Sequence, residues 1–269
     1  MRDSRHDVQG DSSGDRLSGL ARTVAARLAA RDGSPFQPDQ RTVDDGIVAA
    51  LAVAMIADDP APFKSLKADL RRARISEIDL VDRYFPAVAR YLGCAWAEDR
   101  SPFTDVTIGV ARMQAILRQV GRDWTSNLAA SPDGATVLLV LPAGEQHSFG
   151  SVLLAGQLRR AGVSVRLEIG TSAAVLADLV RRRTFDCAMI SVGCEEKLTE
   201  CRKLVKAIKD ASGGCLRVAV GGAVLDRPVD VPGRSGADLV TNDPMLALAG
   251  VSRKAALSGG ESGGESVWS

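Results

Sequence analysis

At 269 residues, 45% hydrophobic and 25% charged, the chain is long enough to bury two ordinary cores. A net charge of +1 argues against a strongly electrostatic nucleic-acid surface, and the runs Arg71-Arg72-Ala73-Arg74 and Arg181-Arg182-Arg183 read as solvated helix faces. The five cysteines (Cys94, Cys187, Cys194, Cys201 and Cys215) form no Cys-x-x-Cys pair, which argues against zinc. With no secretory signal or membrane span in view, they are expected to be reduced thiols of a cytoplasmic protein.

Residues 1–40 are rich in Asp, Ser, Arg and Gly and are expected to form a flexible extension. Within it Leu17, Leu20, Val24 and Leu28 share one helical face, the pattern of an amphipathic helix that docks on a partner or on the bundle, or that forms only transiently. His6, ahead of that stretch, is one of only two histidines.

Residues 41–126 read as a helical bundle with helices near 43–57, 61–72, 77–91 and 105–120. Asp58-Asp59-Pro60 stops the first, Ser76 with Asp79 makes a capping box, and Gly93 is expected to end the third. Leu80, Tyr84, Val88 and Leu92 recur at helical spacing and are expected in the bundle core. Residues 127–134, rich in Ser, Pro, Asp and Gly, read as a linker.

From 135 to 251 strands and helices alternate. Thr136–Leu141, 163–168, Cys187–Ser191 and 216–220 are short apolar runs, with helical segments after 148, around 176–183 and at 201–211. That cadence predicts a doubly wound parallel sheet, giving an α-plus-α/β chain in which a four-helix bundle precedes a flavodoxin-like domain. Residues 252–269, with two Gly-Gly pairs, read as a flexible tail.

The densest chemistry lies where the first strand gives way to a helix, at Glu145-Gln146-His147-Ser148-Phe149-Gly150. A lone imidazole at the carboxyl end of a parallel strand is a candidate metal ligand, because open α/β sheets bind their ligands there. Ser191-Val192-Gly193 and Gly221-Gly222 end the third and fourth strands, small residues where a bulky ligand can approach or where the chain simply turns.

Taken in order, Glu145-x-His147-x-x-Gly150, Ser191-x-Gly193 and Gly221-Gly222 resemble the cobalamin-binding domain, whose signature is Asp-x-His-x-x-Gly, Ser-x-Leu and Gly-Gly. The resemblance implies that His147 is the lower axial cobalt ligand, oriented by the Glu145 carboxylate. It implies too that Gly150 lets the helix start close to the corrin, and that Ser191, Gly193, Gly221 and Gly222 line a slot for the displaced nucleotide tail. Glu145 stands where the family has Asp, and Gly193 where it has Leu.

Upstream, the segment from Arg90 to Gly109 is similar to the bundle that caps the upper corrin face, with Trp96 and Phe103 as the covering rings or, for Trp96, as a core anchor. In the light-sensing adenosylcobalamin repressors a Glu-His pair follows the Trp ten positions on; here Val106 and Thr107 occupy those positions. The resemblance therefore implies water or hydroxide above cobalt, an adenosyl or methyl group, or a ligand from elsewhere, for which His6 is the other imidazole.

Trp96 to Gln114 looks like the PpaA/AerR family, antirepressors of photosystem genes. That resemblance implies a light-responsive, non-enzymatic regulator that binds a repressor protein and has no DNA-binding motif of its own. A haem-based redox or gas sensor using the same His147 and a corrinoid methyl carrier are the alternatives.

Overall fold

The computed structural model describes residues 43–59, 61–125, 135–145 and 148–249, with backbone only for 121–125. The extension at 1–40, the linker at 127–134, the tail at 252–269 and both histidines, His6 and His147, lie outside the described residues.

The amino-terminal half is a bundle of four helices. α1 (Asp45–Ile56) starts where Asp44 Oδ1 accepts the Ile47 N–H. Its far end is closed by a neighbour: Arg112 Nη1 donates to the Met55 carbonyl at 3.0 Å and to the Ala57 carbonyl. In the next helix, α2 (Ala61–Arg72), only Leu70 is buried.

α3 covers 77–97 without a break, as an α-turn (Glu77–Asp79), a π-turn (Leu80–Tyr84) and an α-helix (Phe85–Ala97). The Ser76–Asp79 capping box is present in full.

Gly93 does not end α3. Leu92 and Ala95 on either side of it are buried, and this packing carries the helix past the weak helix former. The stop comes instead at Asp99, whose φ of 55° turns the chain so that Arg100 N bonds Ala95 O and Asp99 N bonds Trp96 O. α4 (Phe103–Thr125) is longer at both ends than its sequence pattern predicts.

Leu80, Tyr84, Val88 and Leu92 do line the bundle core, with Leu51, Met55, Phe85, Met113 and Leu117. α3 and α4 approach closely, because a side chain at Gly109 would strike Leu92 Cδ1 at 2.6 Å.

The second half is a five-stranded, all-parallel sheet in the order β2-β1-β3-β4-β5: β1 (Thr136–Leu141), β2 (Ser164–Ile169), β3 (Cys187–Ser191), β4 (Val218–Gly221) and β5 (Leu239–Val240). This is the flavodoxin-like doubly wound arrangement. β1 and β3 are apolar except at Thr136, the first residue of β1, and Ser191, the last of β3, because helices cover both faces.

α5 (Ser148–Arg160) and the helical residues 244–249 cover one face, packing on Val137, Leu139, Cys187, Met189 and Ala219. α6 (Ala173–Arg182), α7 (Leu198–Ala211) and α8 (Val231–Ser235) cover the other, with Leu138, Val140, Ala188, Ile190, Val218 and Val220.

α5 is apolar on two sides, and that joins the halves. Ala155 and Leu158 face the sheet, while Phe149, Val152 and Leu153 belong to the bundle core. At its far end Arg160 Nη2 meets both oxygens of Asp82 at 2.6 Å, with both side chains over nine-tenths buried. Burial pushes the Asp82 carboxyl up, and the Arg160 guanidinium and Gln157 offset that only in part.

Candidate functional site

Sheet order fixes where a ligand can enter. β1 connects outward to β2 on one side, and the chain then crosses back to β3 on the other, so the loops after β1 and β3 part and leave a crevice at the carboxyl edge. Glu145, Ser191 and Gly193 all lie at this switch point.

Two bonds fasten the loops across it. The Gly193 N–H donates to Glu145 Oε2 at 2.7 Å, and Lys197 Nζ donates to the Ala143 carbonyl at 3.2 Å. Glu145 therefore has a backbone partner that its expected role as a histidine orienter did not anticipate, and Gly193 supplies that partner through its amide rather than its missing side chain. Lys197 sits on the 3-10 turn Glu195–Lys197 after β3.

Gly150 is exposed, with nothing within 4 Å of where a side chain would begin, so the first turn of α5 presents an open surface. The Gly221-Gly222 pair has a different physical requirement. A side chain at Gly221 would meet the Thr241 carbonyl at 2.5 Å, and one at Gly222, where φ is +111°, would meet the Val192 carbonyl at 2.3 Å. Here the glycines admit other segments of the chain itself. The Gly222 N–H also donates to Asn242 Oδ1 at 2.6 Å.

On the bundle, Trp96 is 49% and Phe103 54% exposed, their ring centroids 5.3 Å apart and tilted by 59°. Trp96 is thus not a core anchor. Val106 is half-buried against the bundle core, and Thr107 is exposed, its hydroxyl donating to the Phe103 carbonyl at 3.1 Å.

Phe103, Thr107, Val110 and Gln114 share one stripe of α4 by helical spacing. Gln114 Nε2 ends the stripe by donating to Ser148 Oγ at 3.1 Å. At the usual helical rise, Phe103 lies about 16 Å along α4 from that bond. Glu145 and Ser148, which flank positions 146 and 147, are thereby held from two directions: Glu145 by the loop after β3, Ser148 by the bundle.

Beneath the loop, on the sheet-facing side of α5, Ser151 is 2% exposed and its hydroxyl has no hydrogen-bond partner among the described residues. An unsatisfied buried hydroxyl costs about 1–3 kcal/mol. Such an orphan beside a switch-point crevice fits a site that receives a polar group. Neither Ser151 nor Gln114 stood out in the sequence, since a serine and a glutamine within helices carry no periodic or motif signal.

Cys194 lies at the mouth of the crevice, but its hydrogen bond to Glu196, with burial second, pushes its thiol up, which disfavours the reactive thiolate. Burial pushes the Cys187 and Cys201 thiols up to about 12. Among the described residues no group of three His, Cys, Asp or Glu side chains is placed to hold a metal, and no helix is long and apolar enough to cross a membrane.

A helical bundle joined to a doubly wound sheet is a fold that this chain shares with a solved corrinoid protein. The monomethylamine corrinoid protein of Methanosarcina barkeri superposes with a TM-score of 0.57 at 12% identity, over 79% of this chain and 96% of that one. A cobalamin-binding protein of Desulfitobacterium hafniense DCB-2 aligns over 79% of this chain and 98% of that one, with a TM-score of 0.37 at 19% identity. In sequence, the chain belongs to the family of the uncharacterized 20.5 kDa protein of Rhodobacter capsulatus from the bchF-crtJ intergenic region. The two are 39% identical over 181 residues, 67% of this chain and 94% of that protein. No family model matches the chain.

Proposed function

We propose that the protein is a cobalamin-binding regulator of the PpaA/AerR kind, itself without catalytic activity, which changes its affinity for a partner repressor of photosynthesis genes with the state of its cofactor. The observation that carries this reading is the helix α4, whose first residue, Phe103, pairs with the exposed Trp96 of α3 and which bonds Ser148, next to position 147, further along.

In this reading His147 would hold the corrinoid's cobalt, and Trp96 and Phe103 would shield the bound corrinoid from solvent. The corrinoid supplies a light- and ligand-sensitive cobalt centre. The chain's own part is mechanical: Gln114 and Ser148 couple the ligating loop to α4, so that two ligation states favour two bundle positions. A difference of about 1–3 kcal/mol in partner affinity suffices for a switch.

Support for the regulatory role is the family: the relative's name places it in the bchF-crtJ intergenic region. The fold likeness to a monomethylamine corrinoid protein favours a second reading, a methyl carrier serving a separate methyltransferase. DNA binding by the candidate repressor, measured with protein loaded with hydroxocobalamin and with unloaded protein, separates them. Loss of repressor from DNA with only one of the two forms supports the regulator; no effect of either, together with methyl transfer to and from bound cobalt, supports the carrier.

A further inference from the structure

β2 ends the sheet, and among the described residues no strand pairs with its outer edge. It runs in register with β1 from Ser164 to Ile169, without a bulge or a proline. Ser164 N bonds Ala135 O and Gly170 N bonds Leu141 O, so the even-numbered residues turn their backbone groups towards β1. Val165, Leu167 and Ile169 therefore turn theirs outward. The bond found on that outer row runs from Arg159 Nη2 to the Val165 carbonyl at 3.0 Å.

Open edges are ordinarily blunted by a bulge, a proline or charged side chains. β2 does carry charge, but of both signs, two residues apart. Arg166 and Glu168 share one face and bond each other at 2.6 Å, with the Arg166 side chain 52% exposed. Val165 and Leu167 face the other way, into the core beneath α5, and Ile169 stands 55% exposed at the end of the strand.

This order of side chains is its own complement. Antiparallel pairing of two outward rows about a two-fold axis at Leu167 sets Leu167 against the partner's Leu167 and Val165 against the partner's Ile169, as hydrogen-bonded pairs. Arg166 then meets the partner's Glu168 in the closer, non-hydrogen-bonded pair. Each exposed Ile169 gains an apolar neighbour and each charge an opposite one. The adjacent registers that also bring the outward rows together set Arg166 against the partner's Arg166, or Glu168 against the partner's Glu168, so charge selects a single alignment. The Arg159 bond is no obstacle, because a carbonyl oxygen has a second lone pair for a strand amide.

We propose that the outer edge of β2 is a self-association surface, through which two copies of this chain pair antiparallel about Leu167 into one continuous sheet. A second copy is the occupant these residues select, since one strand supplies both halves of the charge match. The contact needs no cofactor, so it stands or falls apart from the corrinoid reading.

The test is sedimentation velocity over a concentration series of full-length wild type, Arg166→Glu, Glu168→Arg and an equimolar mixture of the two variants, each first checked for folding by circular dichroism. Wild type is expected to dimerise reversibly. Either variant alone brings like charges face to face and should dimerise at least about tenfold more weakly. The mixture should recover, because the acidic pair of one variant meets the basic pair of the other.

Hydrogen exchange on wild type reads the same contact without a substitution: peptides covering β2 should exchange more slowly at concentrations where the dimer forms. A wild type that stays monomeric throughout the series, a dimer in which β2 gains no protection, or folded variants whose mixture associates no better than either alone overturns the proposal.

Discussion

The backbone amide of Gly193 donates a 2.7 Å hydrogen bond to Glu145 Oε2, tying the loop after β1 to the loop after β3 across the place where the sheet's connections diverge. A carboxylate acceptor makes this a charge-assisted bond, worth about 1.5–3 kcal/mol. Glu145→Ala should therefore lower the urea-unfolding free energy by roughly that amount, while Glu145→Gln, which keeps an oxygen at the same reach, should recover at least half. Equal losses for the two variants would remove the hydrogen bond from the account.

Asp82 and Arg160 join the bundle to α5 in a pocket that water barely reaches. Taking away the carboxylate leaves the guanidinium buried beside an apolar stump, at a cost of about 3–5 kcal/mol. Asp82→Ala should show that loss in chemical denaturation. An Asp82→Leu/Arg160→Met pair should recover much of it, because two apolar groups of similar volume need no compensation. A double variant as unstable as Asp82→Ala would contradict this.

Gly222 is the least replaceable residue at the crevice. Its φ of +111° disfavours any side chain, and the atom a side chain would strike is a backbone carbonyl, which cannot rotate away. Gly222→Ala should destabilise the protein by more than about 1–3 kcal/mol, whereas Gly150→Ala, in open helix, should be neutral or slightly stabilising. Thermal midpoints of the two variants measured side by side check the contrast.

Acid should act on the sheet domain through Asp238. Burial alone would raise its carboxyl, but the Val218 N–H at 2.9 Å, the Lys209 ammonium at 3.0 Å and the nearby Arg217 together hold it below the ordinary value of 3.8. A depressed folded-state value means that the stability Asp238 contributes is fully present above 3.8 and is lost as pH falls through that value towards the lower folded one. Asp238→Asn should flatten the stability profile in that window and leave its shape near neutrality unchanged; a profile parallel to wild type throughout would rule out the contribution.

Trp96 should matter little to folding and a good deal to ligand retention. Half of the ring faces solvent, and its main aromatic contact is Phe103, so Trp96→Ala should cost about 1 kcal/mol or less. Retention of hydroxocobalamin through a desalting column should fall by a much larger factor. Proportionate losses of stability and retention would return Trp96 to an ordinary structural role.

How much of this was legible in the sequence depended on the range of the interaction. Thr136–Leu141 and Cys187–Ser191 are read to the residue because a strand buried on both faces is an unbroken apolar run. β5 is two residues long and gives no period to read. Gly93 misleads because burial of its neighbours overrides local propensity, while the stop at Asp99 needs a left-handed turn that few non-glycine residues make.

At the site, the sequence picks out Glu145 and Gly193 as a motif carboxylate and a motif departure, yet not the bond between them. Gln114–Ser148 and Asp82–Arg160 escape for the same reason: each joins residues far apart in the chain, and although Ser148 lies in the motif around position 147, no local pattern marks the pairing.

The most direct test of the central claim is the absorbance spectrum of purified wild-type and His147→Ala protein after separate incubation with hydroxocobalamin and haem, followed by desalting. The account predicts that wild type retains the corrinoid with a shifted spectrum and that His147→Ala loses the shift while keeping a folded sheet domain by circular dichroism. Retention of haem alone, or corrinoid spectra identical in the two proteins, would contradict it.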